Sequence, residues 1–253
     1  MFENMSKAER IELAKAKMEK VLDHFLYVAE LHANNSFVVY SETLASQIHQ
    51  SFAANAFVVF QRSMHQIEIV RLCAIWDSVD PDKENIPTVV ELIDDDEIID
   101  ALADVTRQHW GESEGQIYLD PSHGPATAET IRQAVRQSNR EFGDGQAAKA
   151  KAELKEAIAA TRAIRKSARL ASVMNMRDKH LAHSLTATHR EKRGPVEPMK
   201  FGDETALLNA SIPIIEHLFG WVNGKSFSIA NSLEIDQENA AALWNGCTFS
   251  PLR

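Results

Sequence analysis

Apolar residues recur with the period of an α-helix, about 3.6 residues, along most of this chain, and this pattern constrains the fold more than any other feature. The pattern predicts long helices at 7–32, 42–77, 94–109 and 146–176, another at 203–222, and shorter ones at 37–41, 88–93 and 237–244. No segment between turn signals alternates apolar and polar residues as a half-buried strand does, so we predict no sheet. The chain is therefore expected to fold as an all-α bundle.

Local signals add detail to these helices. Ser6 with Glu9, and Thr88 with Glu91, have the spacing of a capping box, in which each side chain satisfies a free backbone N–H. The segment 52–60 is apolar nearly all round, which is typical of a central, buried helix. We therefore expect two capped helix starts and one helix at the centre of the bundle.

The 253 residues are expected to form one domain, because a chain of this length supplies a hydrophobic core without disulfides or metals. Half of the ten glycines lie in 111–145, together with Pro121 and Pro125. Glycine and proline interrupt regular structure, so we predict that 111–145 leaves the bundle as a flap or insertion containing an amphipathic piece at 127–141.

Charge and cysteine content exclude several classes of protein. The net charge of −9 argues against a surface that binds nucleic acid all over. Two isolated cysteines, Cys73 and Cys247, form neither a disulfide framework nor a Cys-X-X-Cys metal site, which favours a reducing compartment. The charged N-terminus has no apolar leader region, and no run approaches the ~18 apolar residues that span a bilayer. We expect a cytoplasmic protein without membrane contact.

The charges are unevenly distributed along the chain. Seven acidic residues and no basic residue lie between Glu91 and Asp104. Nine basic residues but only two acidic ones lie between Arg162 and Arg193. A basic segment in an acidic protein indicates a local site for an anion.

The segment from Arg177 to His183 carries the residue types that phosphodiester chemistry needs. Arginine has a permanent charge and a fork of donors that matches phosphate oxygens. Histidine both accepts and donates a proton near neutral pH. On a regular helix His183 would lie about 120° around the axis and ~9 Å along it from Arg177. Either the helix ends between the two residues, or the site takes residues from two copies of the chain in a symmetric dimer.

The sequence Arg-Asp-Lys-His-Leu-Ala-His at Arg177–His183 resembles the Arg-X(4–6)-His signature of the HEPN superfamily, in which a polar residue, here Asp178, follows the arginine. The Leu-Ala-His ending, and the earlier sequence Arg-Leu-Cys-Ala-Ile-Trp-Asp at Arg71–Asp77, most resemble the AbiU-type branch found among phage abortive-infection proteins. This resemblance implies a HEPN-like bundle with an up-down four-helix core, additional helices and a long insertion.

The same resemblance implies a metal-independent endoribonuclease with a toxin-like or phage-defence role and a homodimer formed through the Arg177–His183 segment. His183 would act on the 2′-hydroxyl or the leaving oxygen, Arg177 would stabilise the charge on the phosphate, and Asp178 would orient one of these groups. RNA would be cut to 2′,3′-cyclic phosphate and 5′-hydroxyl ends without a cofactor, and an antitoxin protein would be a further partner.

Neighbouring polar residues complete the candidate site. Lys179, His180, Arg169 and Arg190 are candidate RNA-binding residues, and Asp77 is a candidate accessory acid. Three alternatives remain open. A non-catalytic helical module would use the same cleft to bind RNA, a nucleotide or a protein partner. In a second alternative, His180 and His183 bind a metal ion together with an acidic residue. In a third, the motif has no function and is a charged helix C-terminus, where basic residues are favourable.

Overall fold

Eight α-helices make up the described part of the chain, which covers residues 2–48, 50–112 and 125–250 of a computed structural model. In chain order they are α1 (Lys7–Val38), α2 (Phe52–Ile75), α3 (Ile86–Ile93), α4 (Asp96–Gly111), α5 (Pro125–Arg165), α6 (Ala168–Met176), α7 (Asp203–Asn223) and α8 (Ile229–Trp244). A 3₁₀ turn at Ala45–Gln47 precedes α2, and a π-helical turn at Arg177–Leu181 continues α6. No strand occurs within these ranges, which confirms the prediction of an all-α fold.

Two helices begin at positions other than those the sequence pattern predicts. α2 begins at Phe52 instead of 42, because the Ser51 Oγ accepts from the Ala54 N–H at 3.3 Å and caps the helix there. α5 begins at Pro125 instead of 146, so residues 125–145 form a regular helix. The remainder of the expected flap, 113–124, lies outside the described residues.

One of the two predicted capping boxes is present. The Ser6 Oγ accepts from the Glu9 N–H at 3.3 Å while the Ser6 N–H donates to Glu9 Oε2 at 2.8 Å, which confirms the start of α1. The prediction at Thr88 is wrong, because Asn85 caps α3 and its Oδ1 accepts from the Thr88 N–H at 2.8 Å. Thr88 is buried inside the helix, and its hydroxyl donates to the Asp80 carbonyl.

The hydrophobic core forms around α1, which packs against α2, α3, α7 and α8. Its buried face follows the helical period and consists of fully buried side chains, Ala14, Met18, Val21, Phe25 and Val28. α5 joins the core through Leu154 and packs against both α4 and α7. This arrangement leaves the end of α2 and the end of α6 next to each other.

α4 and α5 cross at a close approach that only glycine permits. A Cβ on Gly143 would lie 2.8 Å from the Arg107 carbonyl oxygen and 2.9 Å from the Gly111 backbone nitrogen. Real Cβ atoms do not come this close to backbone, so a side chain at this position would push the two helices apart. Glycine in this helix is therefore a packing requirement and not a break in the chain.

Gly143→Ala is expected to lower the free energy of unfolding by about 1–3 kcal/mol, because the added methyl group overpacks the α4–α5 contact. Gly145→Ala is the matched control, since a Cβ there meets no atom within 4 Å. In the control, the higher helix propensity of alanine is expected to raise the stability by up to about 1 kcal/mol. Urea unfolding followed by circular dichroism measures both changes, and equal values for the two variants would contradict the close crossing.

The acidic stretch between Glu91 and Asp104 pairs with basic residues of other helices. Lys151 lies 2.7 Å from Asp100, and Lys155 lies 2.8 Å from Asp96, so α5 supplies counter-charges along α4. Arg10 of α1 donates to the Leu92 carbonyl at 2.9 Å. Exposed ion pairs stabilise a protein by at most about 1 kcal/mol each. Their main effect here is to neutralise the negative charge of α4 where it packs against its neighbours.

The prediction that 52–60 is buried is wrong. The outward side of α2 carries apolar residues at helical spacing, which we call the α2 stripe: Phe52 (94% exposed), Val59 (62%), Phe60 (41%), Ile67 (44%) and Val70 (40%). The exposed Ser63 interrupts this row, but monomeric proteins seldom leave so many large apolar side chains uncovered on one helix face. In the ranges that the structure describes, no helix combines the length and apolar character needed to cross a bilayer.

Candidate functional site

Arg177 lies where α6 changes from α-helical to π-helical geometry. Ser167 caps the start of α6, and its Oγ accepts from the Leu170 N–H at 3.2 Å. At the other end the Ala182 N–H donates to the Arg177 carbonyl at 2.8 Å, a bond that spans five residues instead of four. The helical turn stops at Leu181, so His183 lies beyond it. Of the two arrangements predicted for the motif, the helix does end between its arginine and its histidine.

Two carboxylates fix the guanidinium group of Arg177. Its Nε and Nη2 donate to Asp178 Oδ1 at 2.8 and 2.6 Å, and its Nη1 lies 3.9 Å from Asp77 Oδ2 at the end of α2. Partial burial by itself would lower the pKa of Arg177, but the hydrogen bonds to Asp178 and the negative charges of Asp178 and Asp77 outweigh it, so the pKa is raised. The side chain is therefore a permanently charged donor that is held in one orientation.

A cavity of about 330 Å³ opens beside this arginine, and we call it the arginine pocket. Its charged lining consists of Asp77, Arg165, Arg177 and Arg190. Arg190 also donates to Asp178 Oδ2 at 3.0 Å, so Asp178 joins two of the three arginines. Three guanidinium groups around one opening suit an anion with several oxygens, because each guanidinium offers paired donors.

The thiol beside the motif is structural. Cys73 is fully buried in α2, and its Sγ lies 3.8 Å from the Val173 carbonyl oxygen of α6. Burial raises the pKa of the Cys73 thiol to about 12, so the thiol stays neutral and is a poor nucleophile. Cys73 therefore packs α2 against α6.

The loop after the motif is fastened to α6 through Glu191. Glu191 Oε1 accepts from Lys179 Nζ at 2.8 Å and from Asn175 Nδ2 at 3.0 Å, and its Oε2 accepts from the Thr188 N–H at 2.9 Å. These donors lower the pKa of Glu191 to about 2, with the hydrogen bond from Lys179 as the largest cause. The loop that contains His183 is thus anchored on both sides of the histidine.

A protein-family model for AbiU2, of the HEPN group, matches residues 2–243. The chain belongs to the AbiU2 family of HEPN proteins. The match spans both segments that carried the predicted resemblance, Arg71–Asp77 and Arg177–His183, and the predicted family is confirmed. Comparisons with curated proteins and with solved structures give no match.

The structure brings some of the predicted site residues of this HEPN protein together and separates others. Asp77, Arg177, Asp178 and Arg190 form one connected cluster. His183 is exposed and forms no hydrogen bond or ion pair within the described ranges.

The remaining candidates lie outside the arginine pocket. Lys179 and the exposed His180 line a different cavity on the other side of α6. Arg169 lies near the start of α6 and pairs with Asp203 at 3.1 Å. Arg190 is therefore the one of the four predicted RNA-binding residues that joins the Arg177 cluster.

The sequence analysis did not predict the residues outside the motif that hold its side chains and its loop in place. Thr188 and Glu191 are three apart, the spacing of a capping box, and the Glu191 N–H does donate to Thr188 Oγ1 at 3.1 Å. That spacing was a usable signal for an anchored turn. Lys83, which lies 3.2 Å from Asp77 Oδ2, had no such signal, because nothing in the sequence places the loop after Asp77 beside the motif.

Among the described residues, the motif histidines lack the companions that a metal site requires. No group of three or more His, Cys, Asp or Glu side chains in the described part of the chain is arranged to hold a metal ion. Asp178, the acid nearest to them in sequence, is already bound to Arg177 and Arg190. The arrangement of these side chains therefore favours an anion site over a metal site.

Proposed function

We propose that this HEPN protein is a metal-independent endoribonuclease that acts as a toxin-like phage-defence factor in the cytoplasm, restrained by an antitoxin protein. The observation that carries the proposal is the fixed Arg177 guanidinium, held by Asp178 and Asp77 at the π turn that leads to His183. Membership of the AbiU2 family supports it. The substrate is RNA, because the reaction starts from a 2′-hydroxyl group.

Each motif residue has a role that fits its surroundings. The exposed imidazole of His183 takes the proton of the 2′-hydroxyl as the P–O2′ bond forms. The P–O5′ bond breaks, the leaving 5′-oxygen takes a proton from solvent, and the imidazolium returns its proton to solvent, which gives 2′,3′-cyclic phosphate and 5′-hydroxyl ends. Arg177 stabilises the charge that builds on the phosphate oxygens, and Asp178 positions the guanidinium. No water or metal ion is consumed.

We further propose that the active form is a homodimer assembled next to the motif. The α2 stripe runs along α2. Two residues after the end of this helix, Asp77 lies with its Oδ2 3.9 Å from Arg177 Nη1. A second copy that covers the α2 stripe is therefore attached to the helix that leads into the arginine cluster. It also buries apolar side chains that a monomer leaves in water.

A direct test is to incubate the purified protein with RNA in excess chelator and to analyse the ends of the products. We expect cleavage with 2′,3′-cyclic phosphate and 5′-hydroxyl ends, and no cleavage of the same strand when it is made of deoxyribonucleotides. Products with 3′-hydroxyl ends, or activity that requires added metal, would contradict the proposed reaction.

One observation favours a second candidate function, a non-catalytic module that binds RNA. Asp178 accepts from both Arg177 and Arg190, so part of their donor capacity is used within the protein. Such a module would bind RNA through the remaining charge of the arginine pocket and leave it intact. Retention of labelled RNA on the protein without any cleavage in the same assay would favour this candidate.

A further inference from the structure

A second cavity, of about 410 Å³, lies on the side of α6 away from the arginine pocket, and we call it the Glu204 pocket. Its size lies within the range of about 300–1,000 Å³ that small-molecule sites occupy. The apolar part of its wall consists of Met176, Val196, Pro198 and Met199. Its polar and aromatic lining includes His65, Lys179, His180, Phe201 and Glu204.

The Glu204 pocket contains a buried carboxylate with an unused oxygen. Glu204 is only 1% exposed, and its Oε2 accepts no well-formed hydrogen bond from the described residues, although the Tyr40 hydroxyl lies close to this carboxylate. Its Oε1 accepts from the Gly202 N–H at 3.4 Å and lies 4.0 Å from His65 Nε2, which is itself buried without a hydrogen bond. Buried polar atoms are nearly always paired, so an unpaired acceptor in the lining of a cavity points to a ligand that donates hydrogen bonds.

An exposed aromatic ring lines the same pocket. Phe201 is 84% exposed, and its ring meets the edge of Tyr40 at 5.5 Å between centroids. An exposed aromatic ring offers a face on which a base can stack, and every nucleobase has such a flat face. Phe201 therefore supplies a stacking surface next to the Glu204 carboxylate.

The exposed basic residues in the lining favour a ligand that carries a negative charge over a simple amine. Lys200 and His180 are both exposed, line the pocket and form no ion pair within the described ranges. The positive charge of Lys200 would repel an ammonium group and attract a phosphate. A ligand that satisfies all three features has hydrogen-bond donors, a flat ring and a negative charge, which together describe a nucleotide.

We propose that the Glu204 pocket binds a guanine base of the RNA substrate and makes cleavage guanine-specific, an inference that rests on the proposed ribonuclease function. A carboxylate only accepts hydrogen bonds. Guanine presents two adjacent donors, its N1–H and its N2 amino group, to the two oxygens of one carboxylate. Adenine and cytosine place an acceptor beside their amino group, and uracil places acceptors on both sides of its N–H, so each would set an acceptor against Glu204.

The Glu204 pocket is connected to the motif through the π turn. Lys179 and His180 belong to that turn and line the pocket, and Arg177 begins the same turn. A base held by Glu204 and Phe201 therefore lies on the side of the π turn that carries Lys179 and His180, and the RNA strand would continue around this turn to reach Arg177. Glu204 is on this view a specificity-determining residue, and it makes no contact with the scissile bond.

The binding test uses the full chain and four ribonucleoside 5′-monophosphates, measured by titration calorimetry. We expect GMP to bind at least about tenfold more tightly than AMP, CMP or UMP. Glu204→Gln is expected to remove the preference for GMP over AMP, because an amide offers one donor and one acceptor and pairs well with adenine. Phe201→Ala, at an exposed position, should weaken all four nucleotides about tenfold or more. Phe142→Ala, a half-exposed ring on α5, is the control and should change none of them.

Mapping of cleavage sites separates this proposal from the function on which it rests. Cuts at guanosines that spread to all bases in Glu204→Gln would support both proposals. GMP binding that needs Glu204, in a protein that cleaves no RNA, would support the pocket and overturn the ribonuclease. Equal binding of the four nucleotides, or a GMP preference that survives Glu204→Gln, would overturn the pocket even if RNA is cut.

Discussion

His183→Ala is expected to slow RNA cleavage by about 100- to 10,000-fold, because the proposed reaction then loses the general base that takes the proton of the 2′-hydroxyl. Arg177→Ala is expected to slow it by about 100- to 1,000-fold, since the developing charge on the phosphate loses its fixed donor. Arg177→Lys should not rescue the rate, because an ammonium group cannot reproduce the paired donors that bind Asp178. Single-turnover cleavage of a labelled RNA measures all three rates.

Matched controls come from the same loop. His189 and Arg193 are exposed and form no ion pair within the described ranges, so His189→Ala and Arg193→Ala should keep the wild-type rate to within a few-fold. Circular dichroism and urea unfolding establish that every variant is folded. Cleavage that persists at the wild-type rate in both Arg177→Ala and His183→Ala would rule out this segment as the active site.

A mixing experiment then decides how the two residues combine. If Arg177 of one subunit works with His183 of the other, a heterodimer of Arg177→Ala and His183→Ala subunits holds one intact site. Activity should then reappear when the two inactive proteins are mixed and allowed to exchange subunits. If both residues act within one subunit, the mixture should stay as inactive as its components.

Ile67→Glu is expected to convert the protein from a dimer to a monomer and to abolish cleavage with it. Ile67 lies toward the C-terminal end of the α2 stripe and is 44% exposed, so a glutamate is tolerated in the monomer. In the dimer the charge would be buried without a partner, which costs several kcal/mol and raises the dissociation constant by more than about 100-fold. Light scattering across a range of protein concentrations measures the change.

An apolar residue outside the α2 stripe controls for the added charge. Val105 is 64% exposed on α4, so Val105→Glu introduces the same charge elsewhere and should leave the dimer intact. A wild-type protein that is monomeric at micromolar concentration would refute the proposed assembly. A dimer that survives Ile67→Glu would place the contact on another surface.

Sequence pattern predicted the helices well where local rules decide their position. The face of α1 and the cap at Ser6 follow from periodicity and from one short motif, and both are present. The start of α5 was misplaced, because glycine is a helix breaker in isolation, whereas Gly143 lies inside the helix where α4 passes at contact distance. Burial of 52–60 was overestimated, because an apolar face gives no indication whether its own chain or a second copy covers it.

In the candidate site, too, local contacts could be predicted from the sequence and contacts made by packing could not. Arg177 and Asp178 are consecutive, so their pairing could be predicted from the motif itself. Glu191 had a local signal in its spacing from Thr188. No sequence signal pointed to Glu204. It belongs to α7 and lies far along the chain from the motif, so only the packing of α6 against α7 reveals the cavity that both helices line.

The π turn after Arg177 has a consequence for how the length of this motif can vary in evolution. Its hydrogen bond from Ala182 to Arg177 encloses one residue more than an α-helical turn does. Five residues separate Arg177 from His183 in this chain. A homologue with one residue fewer could close the same turn as ordinary α-helix and keep both ends in register. A change between π-helical and α-helical geometry would thus compensate for the gain or loss of one residue here. The histidine and the loop that follows it would keep their positions.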